Sequence, residues 1–223
     1  METNISSYFT DKCYFVSGID TDAGKTYCTA WLVKKLMDEG RSVITQKFIQ
    51  TGNVGYSEDI ELHRVIMGTG HLPEDSEGLT APVIFPFPAS AQLAARLAGE
   101  DIDLDKIDRA TSALASRYDV VLVEGAGGLM VPITDTMTTI DYISSRQLPV
   151  MLVTNGRLGS INHTLLSLEA IKSRNIKLEA LVYNEHFDSD PTISADTRGF
   201  LRRYIERNFP TAVIHNIPSI HNI

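Results

Sequence analysis

At 223 residues, 43% hydrophobic and 22% charged, the chain has enough apolar material for one globular domain spanning 1–223. A formal net charge of −8 argues against broad binding to nucleic acid or to anionic membranes. An anionic substrate therefore needs a local basic pocket, for which Lys25, Lys47 and Arg157 are available. The two cysteines, Cys13 and Cys28, read as small buried hydrophobes of a reducing compartment. No apolar run reaches the ~18 residues of a membrane span. Residues 1–12 are polar, lack the apolar core of a leader, and read as a loose extension. A cytoplasmic protein is expected.

The first strand is expected at 13–17, followed by a turn of little bulk, 18–24, and a helix at 25–38. Strand, glycine loop, Lys25-Thr26 and helix make up the phosphate-binding loop of nucleotide triphosphatases. Backbone N–H groups of such a loop and of the helix N-terminus converge on anionic oxygens. Lys25 adds a mobile positive charge for the outer phosphates, and the Thr26 hydroxyl is placed to ligate Mg²⁺. The usual spacing puts a glycine at position 19, where this chain has Ile19; Gly18 stands one residue early.

A second strand is expected at 42–47, ending on Lys47 beside the phosphate loop. Lys47 is either a second cation aimed at the phosphate or a solvated lysine at a strand end. Asp59 then opens a helix at 58–67, as a Mg²⁺ ligand or as a helix cap. Residues 68–90 hold Pro73, Pro82, Pro86 and Pro88 and read as a surface excursion, with a helix starting near Ser90. A helix at 103–116 leads into a strand at 120–124 and the turn Gly125-Ala126-Gly127-Gly128. Glu124, a carboxylate closing a Val-Val-Leu-Val strand, stands where this fold puts a metal-assisting acid. With Thr26, Asp59, two phosphate oxygens and water it would fill an octahedral shell.

Strands at 150–154, 180–183 and 212–215 alternate with helices at 162–173 and 192–208. Runs such as Val150-Met151-Leu152-Val153 suit strands buried on both faces of a parallel sheet. The alternation predicts a single-domain P-loop NTPase fold, a doubly wound α/β sheet with helices on both faces and ligands at the strand ends. There Gly159, Ser160 and Asn162 open a helix that either docks a carboxylate or is merely capped, and Asn184 either reads adenine or sits in a turn. The six histidines, His63 among them, show no metal-ligand spacing.

These residues resemble the dethiobiotin synthetase family over about 14–218. The loop Gly18-Ile19-Asp20-Thr21-Asp22-Ala23-Gly24-Lys25-Thr26 has that family's own form, Ile19 included. Lys47 to Gly52, Val121 to Gly128, Leu158-Gly159-Ser160-Ile161-Asn162-His163 and Asn184 match as well. Four places depart: Phe48 replaces a usual proline, Thr51 a usual serine, Asp22-Ala23 is unusual within the loop, and Gln92 falls where a Pro-His pair is frequent. They bear on substrate contact rather than on the chemistry.

The resemblance implies ATP-dependent carboxylation of 7,8-diaminononanoate by CO₂ or bicarbonate and closure to a cyclic urea, with Mg²⁺ held by Thr26, Asp59 and Glu124. It implies catalysis by Thr21, Lys25 and Lys47. ATP would contact Asp22, Ala23, Gly24, Lys25, Thr26, Tyr27, Glu124, Gly127 and Asn184. Substrate would contact Asp22, Lys47, Thr51, Gly127, Gly159, Ser160 and Asn162, the last three from the partner subunit of a homodimer. The competing reading is a nucleotide-gated dimer switch of the partition and division-site ATPases. Those carry a lysine five positions before the loop lysine, where this chain has Asp20.

Overall fold

The apolar runs of the sequence become the middle of one parallel sheet. The computed structural model describes residues 5–219. Its elements are β1 (Cys13–Gly18), α1 (Lys25–Asp38), β2 (Val43–Lys47), β3 (Gln50–Thr51), α2 (Glu58–Met67), α3 (Pro73–Ser76), β4 (Ile84–Phe85), α4 (Ala91–Ala98) and α5 (Leu104–Arg117). They continue with β5 (Val120–Gly128), α6 (Thr139–Ser145), β6 (Val150–Asn155), α7 (Ser160–Ser173), β7 (Leu178–Asn184), α8 (Pro191–Asn208) and β8 (Val213–Ile217). Six strands pair in the order β2-β5-β1-β6-β7-β8, every pair parallel.

Strand periodicity divides the core in two. Phe15, Val121, Val123, Val150 and Leu152 point into one layer with Leu114, Ile143, Leu168 and Leu201 from the helices on that face. Their neighbours Tyr14, Val16, Leu122, Met151 and Val153 point into the other, against Cys28, Leu32, Leu36 and Met67 of α1 and α2. Both faces of the central strands are dry, so alternation of polar and apolar residues is absent from them.

The structure departs from the sequence reading in several places, among them β5, which continues through Gly128 where a turn was expected. β5 lies between β2 and β1, so Lys47 does not end a strand next to the phosphate loop but reaches over β5, whose Glu124 is its register partner. Residues 68–90 are not merely a surface excursion. Their backbone carbonyls at Thr80, Val83 and Phe85 accept from Lys47, Gln50 and Gly52, forming the small β3-β4 ladder over buried Val83 and Phe85. A helix, α6, stands where none was expected; its β-branched, aromatic sequence hides it, although Thr138 and Asp141 close a capping box at its start. Residues 5–12 are not loose: Ile5 and Phe9 are buried, and the Ile5 and Ser6 amides donate to Glu39. Residues 1–4 and the tail from 220 lie outside the described residues.

Phe48 settles beneath the site. It is buried, with its ring 5.3 Å from Phe15 and 4.6 Å from Tyr142. The departure at this position is thus a core contact behind Lys47 and not a lining group of the cleft.

Candidate active site

The carboxyl ends of β1, β2 and β5 open on a cleft of about 460 Å³. Thr21, Asp22, Gly24, Lys25, Thr26, Lys47, Thr51, Asp59, Glu124 and Gly127 all line it, so the structure brings most of the expected residues to one place. The loop after β1 closes at Gly24, whose φ of +87° only glycine adopts readily. The side-chain amide of Asn184, from the end of β7, occupies the space a Cβ would need there and donates to the Ala23 carbonyl at 3.2 Å. Across the cleft Gly127, at φ +70°, brings bare backbone opposite Thr21.

Lys25 is curled over its own loop, donating to the Asp20 and Thr21 carbonyls at 3.0 Å each. Burial pulls its pKa down to about 8; Glu124 opposes that shift and Lys47 reinforces it. Lys47 lies between two carboxylates, with Nζ 2.5 Å from Asp59 Oδ2 and 2.8 Å from Glu124 Oε1. Burial alone would lower its pKa, but Glu124 and Asp59 outweigh burial and hold the ammonium charged. Glu124 is fully buried; burial would raise its pKa, yet Lys47 and His63 hold it well below the carboxylate range.

The Thr26 hydroxyl lies 2.8 Å from Asp59 Oδ1 and 2.9 Å from Glu124 Oε1. It has one proton for two charged acceptors, and Lys47 supplies one positive charge to two carboxylates. Each of these two donors is shared between the same two acids. Three oxygen donors of this kind suit a hard divalent ion such as Mg²⁺. Among the described residues no group of three His, Cys, Asp or Glu forms an all-protein metal cage, so phosphate and water oxygens would complete the shell.

This geometry, a phosphate loop with two lysines and an acid pair at the head of a parallel sheet, has known counterparts. A family model described as AAA domain matches residues 12–223. The ATP-dependent dethiobiotin synthetase BioD 2 of Pasteurella multocida is 50% identical over 202 residues, covering 91% of this chain and 95% of that protein. The chain belongs to the dethiobiotin synthetase family. Its BioD 2 counterpart in Haemophilus ducreyi is 49% identical over 199 residues, covering 89% and 94%. Among solved structures, a ParA family ATPase from Chlorobium tepidum superposes with a TM-score of 0.53 at 16% identity, covering 95% of this chain and 86% of that one. That likeness shows the P-loop NTPase fold alone and lends the dimer-switch reading no support of its own.

Several expected residues stand apart from the cleft. Ala23 is buried with its carbonyl taken by Asn184, and the Tyr27 hydroxyl is buried in α1 with no partner among the described residues. Gly159, Ser160 and Asn162 begin α7 and do not line the cleft of their own chain. Gln92 donates to Asp135 across a separate surface. Sequence reasoning missed His63, Gln50, Glu58 and Phe187. The last three line the cleft. His63 is buried behind it with Nε2 2.7 Å from Glu124 Oε2. Its spacing of four from Asp59 puts both on one face of α2, the signal that would have found it.

Proposed function

We propose that this chain catalyses the ATP-dependent carboxylation and ring closure of 7,8-diaminononanoate to dethiobiotin, releasing ADP and phosphate. The observation that carries this reading is the convergence of Lys25, Thr26, Lys47, Asp59 and Glu124 on one cleft in a chain of this family. An amine of the diamine takes up CO₂ as a carbamate, losing a proton. A carbamate oxygen attacks the γ-phosphorus of ATP and ADP leaves. The second amine attacks the carbonyl carbon of the mixed anhydride, expelling phosphate and losing a proton as the urea closes.

The chain's residues serve this sequence by charge and position. The loop amides, Gly24 and Lys25 hold the phosphates, with Asp22 and Gly127 bordering the nucleotide. The Asn184 amide keeps one N–H for the adenine edge. Lys47 leaves its carboxylates to meet the transferring phosphoryl group and the carbamate. Thr21 and Thr51 donate to oxygens of the same groups, and Asp22 faces the amine. Thr26, Asp59 and Glu124 fit Mg²⁺, which when bound neutralises phosphate charge.

The start of α7 suits the substrate carboxylate: Gly159 and Asn162 are exposed, and the Ser160 hydroxyl is buried without a partner among the described residues. Since these groups stand outside their own cleft, the site is completed by a second copy. Leu158, Leu166 and Met130, 95%, 63% and 57% exposed, supply apolar surface for that homodimer. No described helix is long and apolar enough to cross a membrane, and a cytoplasmic enzyme using small molecules alone is the reading.

The test is ADP release from Mg²⁺-ATP and bicarbonate with and without 7,8-diaminononanoate. Release that requires the diamine supports the ligase; turnover indifferent to it sinks the ligase and raises the dimer switch.

A further inference from the structure

Glu124 receives its hydrogen bonds from two sides of unequal permanence. Oε1 faces the cleft, where Lys47 and Thr26 reach it. Both partners are needed elsewhere once a nucleotide binds: the ammonium at phosphate and the hydroxyl at a cation. Oε2 faces away, and the His63 ring reaches it at 2.7 Å, with both side chains fully buried. A carboxylate held ionised can only accept, so His63 carries its proton on Nε2. The other ring nitrogen, Nδ1, is buried with no partner among the described residues. The ring is therefore committed to Glu124 alone.

We propose that His63 is a positioning residue: it fixes the plane of the Glu124 carboxylate so that Oε1 stays aimed at Thr26 while Lys47 moves to the substrate. This rests on the reading that Thr26, Asp59 and Glu124 hold a divalent cation. Without His63 the carboxylate turns about its last bond when Lys47 leaves, and the cation meets a ligand that must first be reoriented. His63 also ties this ligand to α2, the helix that supplies Asp59, so both acids move as one unit. Outer partners of metal ligands of this kind typically govern affinity by about 10–100-fold.

The experiment uses Mn²⁺ as the probe, its binding to the full chain with ADP followed by electron paramagnetic resonance. His63→Leu removes the donor at similar bulk; His63→Gln keeps an N–H at the position of Nε2. The expected result is Mn²⁺ binding weakened about 10–100-fold in His63→Leu and restored to within about threefold of the unaltered chain in His63→Gln. Equal Mn²⁺ affinity in all three overturns the role of His63 and leaves the cation site standing. No Mn²⁺ bound by the unaltered chain overturns the cation site and the inference with it.

Imidazole ¹⁵N resonances of the unaltered chain supply a measurement free of any folding defect. A proton on His63 Nε2 whose resonance moves when Mg²⁺ is added is expected; an unprotonated Nε2 overturns the proposal.

Discussion

Helix α2 carries two buried charge clusters one turn apart, and they are built on opposite principles. In the first, Arg64 grips Asp75 with Nε and Nη2 at 3.0 and 2.8 Å and gives Nη1 to Thr45 at 2.9 Å. Asp75 also accepts from the Leu72 amide and the Thr80 hydroxyl, so its lone-pair sites are filled by the protein. In the second, Lys47 is shared between Asp59 and Glu124, and Thr26 offers one proton to both. In the first cluster every acceptor has its own donor, whereas in the second one ammonium and one hydroxyl are each shared between two carboxylates.

Breaking the complete cluster should have the largest effect on the fold and the least on chemistry. Arg64→Met leaves Asp75 buried and unpaired, and should lower unfolding free energy in a urea titration by about 3–5 kcal/mol. Turnover per folded molecule should stay within about twofold, since neither residue lines the cleft. A stable variant with lost turnover would reverse the assignment of the two clusters.

The incomplete cluster should behave the other way. Lys25→Ala and Lys47→Ala should each cut turnover more than ~100-fold through lost transition-state charge stabilisation. Lys25→Ala should leave the unfolding free energy equal or higher, because the lysine it removes is held charged against its burial. Normal turnover in either variant would contradict the role given to that lysine.

The depressed pKa of Lys25 sharpens the contrast with pH. In the free chain Lys25 loses its proton above about 8, whereas bound phosphate favours the charged form. Binding above that pH takes up a proton, so ATP affinity should fall by up to about tenfold per pH unit between 8 and the pKa of the complex. Equilibrium binding that is flat from pH 7 to beyond 9 would show that Lys25 makes no charged contact with phosphate. A smaller effect belongs to the core beneath: Phe48→Leu should cost on the order of 1 kcal/mol of stability, through its lost ring contacts, with the KM for the diamine unchanged. A shifted KM would return Phe48 to the substrate site.

Residues at strand ends are easier to read from sequence than residues whose partners only the fold supplies. Lys25, Thr26 and Glu124 were legible because a strand end and a glycine loop announce where a parallel sheet opens. Lys47 and Asp59 were each legible only as one of two readings, since a lysine ending a strand also suits solvent and a carboxylate in the first turn of a helix also serves the helix itself. His63 was missed: its spacing of four from Asp59 puts it on the same face of α2, but its ring partner, Glu124, is set only by the folded chain. The β3-β4 ladder was hidden for a similar reason: its strands are two residues each, and their pairing joins segments far apart in the chain. The start of α7 was read correctly as a helix N-terminus, but its distance from the cleft is a property of the folded chain.

The most direct test of the central claim follows one carbon atom. The purified chain is given ¹³C-bicarbonate, Mg²⁺-ATP and 7,8-diaminononanoate, and the product is examined by mass spectrometry beside an ADP assay. The expected result is a cyclic urea carrying the label at its carbonyl carbon, formed one for one with ADP. ADP without labelled urea, or unchanged diamine after ATP is consumed, would contradict it.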